Sequence, residues 1–234
     1  MKYENVVSAE FRSRLNRFTA AVLLDGREDT VHVKNTGRLR ELLVPGRRVA
    51  LAPASNPNRK TRFNLIAAEK PGLGWVNIDS QACNQVVGEW LETRPAPFEG
   101  LTRIQPEFSY GNSRFDFYLE QGQRRALMEV KGCTLEIGGI GYFPDAPTDR
   151  GTKHLRELTM AVKTGYDCYL AFVIAIPGVR RVLPNERTDP AFAKALADAM
   201  AAGVRVIYLA CEVSADEIAV INCAEAGSKD SPMR

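Results

Sequence analysis

Two acidic side chains and one lysine have the types and spacing that phosphodiester hydrolysis requires. Asp116 precedes Glu129 by thirteen residues, and Lys131 follows Glu129 by two. Such hydrolysis needs a divalent cation, Mg²⁺ or Mn²⁺, whose oxygen ligands leave coordination positions open for substrate and water. Two carboxylates supply such ligands, and a nearby ammonium stabilises charge that develops on the phosphate. The trio therefore predicts a metal-dependent nuclease site.

The trio lies on two segments that read as neighbouring antiparallel strands. With the Gln121-Gly122 pair as the hairpin turn, Asp116 lies opposite Leu127 and diagonal to Glu129, roughly 7–8 Å away. One ion could then contact both carboxylates. A three-residue turn would instead place Glu129 on the opposite face from Asp116.

The same residues also suit a surface hairpin in which Glu129 and Lys131 are simply solvated. An Asp followed by an acidic-x-Lys triplet at this distance should occur roughly once by chance in a chain of average composition. Apolar residues flank each acid, as in a buried sheet, where an ionisable trio is costly without partners or a role. Spacing alone leaves both interpretations open.

The first third of the chain predicts a small β-barrel over residues 1–79. Five strand-like runs in about sixty residues favour the oligonucleotide/oligosaccharide-binding (OB) type, which binds single strands on one face. An SH3-like barrel would have the same periodicity. The runs, separated by turn residues, are 18–24, 30–33, 48–52, 62–69 and 75–78.

A second domain is predicted over residues 80–221, followed by a flexible tail at 222–234. Its order of elements is typical of an α/β sandwich with a mixed sheet. Ser80 and Asp189 are the predicted N-caps of the first and last helices. The helices are expected at 80–91, 152–163 and after 189, and the strands at 103–110, 113–120, 125–133, 168–176 and 204–210.

Composition predicts a soluble, cytoplasmic protein without a membrane segment. Hydrophobic residues make up 45% of the chain and charged residues 25%, and no apolar run approaches the ~20 residues that a bilayer requires. The five cysteines have no C-x-x-C spacing, which argues against a disulfide framework or a zinc ribbon. Residues 1–79 hold 14 Lys/Arg against 8 Asp/Glu, so the barrel carries the positive charge.

Eight basic residues lie between positions 34 and 62, where Glu41 is the only acid. On barrel loops they could follow a phosphate backbone, although a solvated basic face is the alternative. Phe18, Phe63 and Trp75 could stack on bases, but barrel cores use aromatic rings as well. The candidate DNA-binding residues are Lys34, Arg38, Arg40, Arg47, Arg48, Arg59, Lys60 and Arg62.

Four short strings carry a resemblance to a known family: Asn35-Thr36-Gly37, Glu129-Val130-Lys131, the GYFPDA string at 141–146 and the RGTKHLREL string at 150–158. Over about residues 11–214 the chain resembles the sugar fermentation stimulation protein A (SfsA) family. The resemblance implies an OB-type barrel, a second domain with the PD-(D/E)xK nuclease fold, non-specific DNA binding, and a regulatory role in bacterial sugar (maltose) metabolism.

The resemblance also implies roles for particular residues. The metal ligands of the nuclease fold fall on Asp116, on Glu129 and on the main-chain carbonyl of Val130, and its lysine falls on Lys131. The proline that usually precedes the first acid is replaced here by Phe115.

Several further residues are auxiliary candidates. Glu89 matches the upstream acid that often assists in this fold, although an exposed helix residue is the alternative. Arg150, Lys153 and His154 cluster at a helix N-terminus, which attracts anions, and His154 could transfer a proton or be passive. The glycine-rich stretch at 138–141 is expected to form a flexible lid.

Two functions therefore compete. One is a non-specific protein that binds single- or double-stranded DNA and has a Mg²⁺-dependent nuclease site. The other is a catalytically silent DNA-binding regulator; no helix-turn-helix reader is evident in the sequence. A barrel that binds a sugar or nucleotide is a third reading, and a homodimer is compatible with all three.

Overall fold

The N-terminal strands close into a barrel, in a computed structural model that describes residues 1–56 and 58–227. The sheet order is β3-β2-β1-β4-β5-β6, and β3 also pairs with β5 in parallel through His32 and Asn64, so five strands form a closed OB-type barrel as predicted. The strands are β1 (Val7–Arg14), β2 (Thr19–Leu24), β3 (Arg27–Val33), β4 (Arg48–Pro53), β5 (Phe63–Lys70) and β6 (Gly74–Asn77).

Strand β1 is absent from the runs predicted from the sequence, although it pairs with both β2 and β4 at the centre of the sheet. Only Ala9 and Phe11 of this strand are buried; Glu10 separates them and Arg12 follows. With so few apolar positions, the sequence pattern does not reveal the strand. The run at 75–78, predicted as the fifth barrel strand, is instead β6, which extends the sheet beyond the closed barrel.

The second domain is built on a six-stranded mixed sheet with the order β15-β14-β12-β9-β8-β7. Strand β12 pairs in parallel with β9 and β14, and the other pairs are antiparallel. Its elements are α1 (Ala82–Glu92), β7 (Arg103–Tyr110), β8 (Ser113–Gln121), β9 (Arg124–Cys133), β10 (Leu135–Ile137), β11 (Ile140–Phe143), α2 (Asp149–Lys163), β12 (Asp167–Ile174), β13 (Val182–Pro184), α3 (Pro190–Ala201), β14 (Arg205–Val213) and β15 (Ile218–Glu225).

Helices cover both faces of this sheet, which confirms the predicted sandwich. On one face α1 packs Val86 and Val87 into a cluster with Met128 of β9. On the other face α2 and α3 pack Leu155 and Phe192 against the sheet. Successive β9 residues therefore point alternately toward α1 and α2, and Glu129 points toward α2.

The helix starts differ in part from the predictions. Asp189 caps α3 as expected, accepting a hydrogen bond from Phe192 N at 2.9 Å. Helix α1 is instead preceded by Gln81, and the Ser80 hydroxyl donates to Lys34 O at 2.9 Å. Helix α2 begins a turn earlier than predicted because Thr148 caps it through Gly151 N.

The expected lid at 138–141 is the turn and start of a β-hairpin. Strands β10 and β11 form this hairpin, and β11 also pairs with β13. Glu136 of the hairpin forms an ion pair of 2.5 Å with Lys70 of the barrel, and both side chains are largely buried. The hairpin is therefore attached to the barrel rather than free above the cleft.

The expected tail from 222 is wrong at its start, because β15 continues to Glu225 and pairs with β14. The rest of that prediction, from 228 onward, lies outside the described residues. Among the described residues, none of the helices is long and apolar enough to cross a membrane.

Candidate active site

The β8–β9 hairpin determines how the two acids face each other. Gln121 pairs with Arg124, so the turn is Gly122–Gln123 rather than Gln121-Gly122. Tyr118, not Asp116, lies opposite Leu127. The register differs from the prediction by two residues, and carried one pair past Phe117–Met128 it brings Asp116 level with Glu129.

Asp116 lies where β8 separates from β9. The ladder between these strands ends at the pair Phe117–Met128, while β8 continues its pairing with β7. The alternation of β8 side chains between the two faces of the sheet also ends here, because Phe115 packs on the α2 side and Phe117 on the α1 side. The separation opens a gap at the edge of which the Asp116 carboxylate is held.

Both oxygens of Asp116 accept hydrogen bonds. Asn84 Nδ2 of α1 donates to Oδ1 at 2.7 Å, and the main-chain N–H of Val130 donates to Oδ2 at 2.7 Å. Sequence reasoning missed Asn84. In the sequence Asn84 is only a polar residue next to the buried Cys83. It can be assigned to the site only once α1 is docked on the sheet.

The two oxygens of Glu129 have very different surroundings. Oε1 contacts both Lys131 Nζ and His154 Nδ1, while Oε2 is buried and has no hydrogen-bond partner among the described residues. The residue is only 2% exposed. A buried carboxylate oxygen without a donor is costly, and a bound cation at this oxygen would offset that cost.

Opposing effects act on the two carboxyl groups. Burial, followed by the negative charge of Glu129, raises the pKa of Asp116. Burial also acts to raise the pKa of Glu129, but the hydrogen bond and charge of His154 and the charge of Lys131 outweigh it, so the net pKa lies below the ordinary value. Glu129 is thus the carboxylate held ionised, and its charge acts against ionisation of Asp116.

The acids open into a cleft of about 610 Å³ between the barrel and the second domain. Lys131 and Val130 line it, and so do Thr148, Arg150 and Gly151 at the N-terminus of α2. Main-chain N–H groups and the positive end of the helix dipole favour an anion at such a position.

The barrel also lines the cleft, through the Asn35-Thr36-Gly37 motif. Asn35 Oδ1 accepts from Gly37 N at 2.8 Å, which closes an Asx-type turn. Asp145 of the GYFPDA string accepts from Arg38 N at 2.9 Å. A Cβ on Gly37 would lie 2.9 Å from Asn35 Oδ1 and closer still to Asp145, so a larger residue would displace the two side chains where the strings meet.

Asp79, also missed by sequence reasoning, lies at the junction of the two domains and lines the cleft. It is 2% exposed and binds Lys34 Nζ at 2.9 Å. Its Oδ1 accepts from Gln81 N at 3.0 Å, at the start of α1. Lys34, predicted to bind DNA, thus neutralises a buried acid of this junction.

Only two of the four auxiliary candidates lie at the cleft or contact its acids. Arg150 lines the cleft, and His154 contacts Glu129 directly, but Lys153 is exposed and donates to Asn112 O at 2.8 Å. His154 is 4% exposed and lies on the buried side of α2, beside Glu129. Glu89 lies outside the cleft lining and pairs with the amino group of Met1 at 2.6 Å.

The basic stretch of the barrel does not form one uniform patch. Four members are engaged within the barrel: Arg48 pairs with Glu69, Arg62 pairs with Asp29, and Arg47 and Arg59 donate to barrel acceptors. Arg38, Arg40 and Lys60 are exposed on loops.

The fold and the site together define a class of two-domain protein. In this class an OB-type barrel is joined to a mixed-sheet α/β domain, and a carboxylate pair with an adjoining lysine lies in the cleft between them. Two family models match the corresponding segments: the SfsA N-terminal OB domain at residues 13–78, and the sugar fermentation stimulation protein RE domain at residues 81–217.

The chain belongs to the sugar fermentation stimulation protein family. A sugar fermentation stimulation protein homolog of Desulfitobacterium hafniense (strain Y51) is 50% identical over 218 residues, which cover 93% of this chain and 94% of that protein. A homolog of Clostridium beijerinckii is 47% identical, with 93% and 96% covered. The structure of Pyrococcus furiosus SfsA in complex with Ca²⁺ superposes with a TM-score of 0.83 at 30% identity and covers 97% of this chain and 96% of that one.

Proposed function

We propose that the chain is a DNA-binding, metal-dependent nuclease of the PD-(D/E)xK type, with Mg²⁺ or Mn²⁺ held between Asp116 and Glu129. The observation that carries the proposal is the buried Oε2 of Glu129, which has no hydrogen-bond partner within residues 1–56 and 58–227. Asp116, Lys131 and a helix N-terminus lie around the same cleft. A purely structural ion pair has no need of such an accessible cleft.

The residues fit a hard divalent cation. In the part of the chain that the structure describes there is no group of three His, Cys, Asp or Glu side chains that could hold a metal, which argues against an all-protein cage. Mg²⁺ usually keeps several waters and binds through one or two carboxylates, and the Asp116–Glu129 pair with the Val130 carbonyl matches that preference. The related Pyrococcus furiosus SfsA structure is a complex with Ca²⁺, another cation that prefers oxygen ligands.

Several residues of the cleft have a part in the proposed reaction. A bound divalent cation would neutralise charge on the scissile phosphate and favour ionisation of a water. Lys131 places its ammonium beside Glu129 Oε1, where it offsets the negative charge of the pentavalent phosphate. Asn84 and the Val130 N–H fix the orientation of Asp116, and Arg150 and the α2 N-terminus bind a neighbouring phosphate.

Cleavage of DNA in the presence and absence of metal tests this proposal. Purified protein is incubated with single- and double-stranded DNA in Mg²⁺, Mn²⁺ or EDTA. We expect metal-dependent cleavage by the wild type and a loss of roughly a hundredfold or more in Asp116→Asn and Glu129→Gln. Glu120→Gln, an acid of the same hairpin outside the cleft lining, is the matched control and should cleave normally.

Equal cleavage by Asp116→Asn and wild type would contradict the catalytic role. Salt-sensitive DNA binding by the wild type without cleavage in either metal would favour the second candidate, a catalytically silent DNA-binding regulator. The name that the relatives carry, sugar fermentation stimulation protein homolog, is the observation on which that candidate rests.

A further inference from the structure

An exposed aromatic ring lies at the rim of the cleft. Phe18, at the end of the β1–β2 loop (residues 15–18), is 51% exposed. Its neighbour Arg17 lines the cleft, and the Arg17 guanidinium lies over the Phe18 ring at 5.8 Å from its centroid. The ring is therefore within one side-chain length of the cleft, and it is not buried in the barrel core.

The backbone that presents this ring is firmly held. Asn16 Oδ1 accepts from Phe18 N at 2.8 Å, and Phe18 O accepts from Val33 N at 2.8 Å. Arg14 donates to Arg17 O at 2.7 Å. A half-exposed phenylalanine on a fixed loop presents a preorganised flat surface, whereas a mobile loop would lose binding energy on ordering.

The same loop is tied to the wall of the cleft. Arg14 also donates to Asn35 O at 2.8 Å and to Gly37 O at 3.4 Å. One guanidinium therefore connects the β1–β2 loop with the Asn35-Thr36-Gly37 turn. The position of Phe18 relative to the acids is fixed through the same contacts that shape the cleft.

Strand register brings a second basic loop to this end of the barrel. Thr19 pairs with His32, and His32 pairs with Asn64 where the barrel closes. Arg59, on the loop between β4 and β5, donates to Asn64 Oδ1 at 3.1 Å. The β4–β5 loop thus lies at the same end of the barrel as the β1–β2 loop that carries Phe18. These are the loops through which OB barrels bind oligonucleotides.

We infer that Phe18 is a base-stacking residue that leads a single strand of nucleic acid from the barrel loops into the cleft. This inference rests on the proposed function and narrows its substrate class from DNA in general to single-stranded segments or frayed ends. Bases in a duplex present edges, and only an unpaired base offers a free face to Phe18. Arg17, beside the ring and at the cleft, complements the negative charge of the strand's backbone.

The size of the cleft agrees with this substrate. A volume of about 610 Å³ lies within the ~300–1,000 Å³ typical of sites for a single small ligand. The cleft is thus of a size to hold one or two nucleotides of a strand.

Binding measurements in EDTA test the inference without any requirement for cleavage. The probe is a fluorescein-labelled oligothymidine of about twelve nucleotides, within the length that one OB barrel covers, compared with a duplex of equal length. Phe18→Leu keeps an exposed apolar side chain but removes the ring, and Phe18→Trp keeps a ring. Ile221→Ala, at an exposed position on β15, is the control.

We expect Phe18→Leu to bind the single strand roughly tenfold more weakly than wild type, as for one lost base stack, with little change for the duplex. Phe18→Trp and Ile221→Ala should bind as wild type does. A 2-aminopurine placed along the strand should be quenched by wild type at one position and lose that quenching in Phe18→Leu.

Unchanged single-strand binding by Phe18→Leu, or a wild type that binds only the duplex, would overturn the inference and leave the nuclease proposal standing. Ring-dependent binding in EDTA together with no cleavage in Mg²⁺ or Mn²⁺ would support the inference while removing the nuclease proposal. The two failures are therefore distinguishable.

Discussion

Glu129 is the residue on which the chemistry of the cleft depends, because its two carboxylate oxygens have different surroundings. Lys131 and His154 both hold Oε1, so the carboxylate cannot rotate freely. Oε2 is left buried and without a donor among the described residues. Holding one oxygen fixes the direction in which the other accepts a cation, which is how hydrogen-bonded neighbours of metal ligands raise metal affinity.

We predict that His154→Ala weakens Mn²⁺ binding by roughly 10- to 100-fold, because Glu129 loses one of the two groups that orient it. Isothermal titration of the purified variant with Mn²⁺ measures this. Arg156→Ala, at an exposed position on the same helix, is the control and should bind as wild type does. Equal Mn²⁺ affinity in His154→Ala and wild type would remove the positioning role.

At this scale residue type and strand periodicity mark Asp116, Glu129 and Lys131 as candidates, and the structure brings all three to one cleft. Spacing alone does not separate such a site from a solvated hairpin. Asn84 and the burial of His154 could not be predicted, since both depend on how α1 and α2 dock on opposite faces of the sheet. Single-residue reasoning has no access to such contacts between elements that are distant in sequence.

The contact between the Asn35-Thr36-Gly37 turn of the barrel and the loop after β11 shapes the cleft. Asp145 accepts from the main chain of Arg38, next to the Asn35-Thr36-Gly37 turn. Gly37 lies so close to Asp145 that an added side chain would displace the Asp145 carboxylate, which bonds to the main chain of Arg38.

We predict that Gly37→Ala destabilises the protein by about 1–3 kcal/mol, the usual cost of forcing extra atoms into a filled site. Urea unfolding of wild type and variant gives the difference. Gly88→Ala is the matched control: its new Cβ would meet Phe117 at ordinary contact distance, and it gains helix propensity on α1. A Gly37→Ala protein as stable as wild type would show that the two loops are not tightly joined.

The long elements of the second domain could be predicted from periodicity, and β7 was predicted at its observed bounds. Elements with few buried positions could not. Strand β1 buries only Ala9 and Phe11, and the β10–β11 hairpin owes its place to pairing with β13 and to the Lys70–Glu136 ion pair. Their stability comes from long-range partners that local patterning does not reveal.

At the scale of the whole molecule, the barrel carries the positive charge while the acids lie in the second domain. The predicted basic residues divide into exposed ones and ones engaged within the barrel. Arg38 and Arg40 flank Leu39 on the loop that follows the cleft turn, whereas Arg48 and Arg62 pair with Glu69 and Asp29. The family model identified the barrel as an OB domain, but sequence alone could not separate these two groups.

We predict that Arg38→Ala combined with Arg40→Ala lowers DNA affinity for every sequence and reduces the slope of log affinity against log salt by about 2, because two phosphate contacts are lost. Fluorescence anisotropy over a salt series measures both. Arg48→Ala combined with Arg62→Ala removes the same charge from paired positions and should change the slope less. Equal effects of the two double variants would show that the barrel acts only through its net charge.

Anomalous scattering from crystals soaked in Mn²⁺ shows whether the two carboxylates hold a metal. We predict one Mn²⁺ peak in the cleft, at about 2.0–2.3 Å from Glu129 Oε2 and from a carboxylate oxygen of Asp116. The peak should be absent from Glu129→Gln crystals soaked in the same way. Crystals of the wild type with no Mn²⁺ between these two carboxylates, or with Mn²⁺ bound only elsewhere, would contradict the proposed metal site.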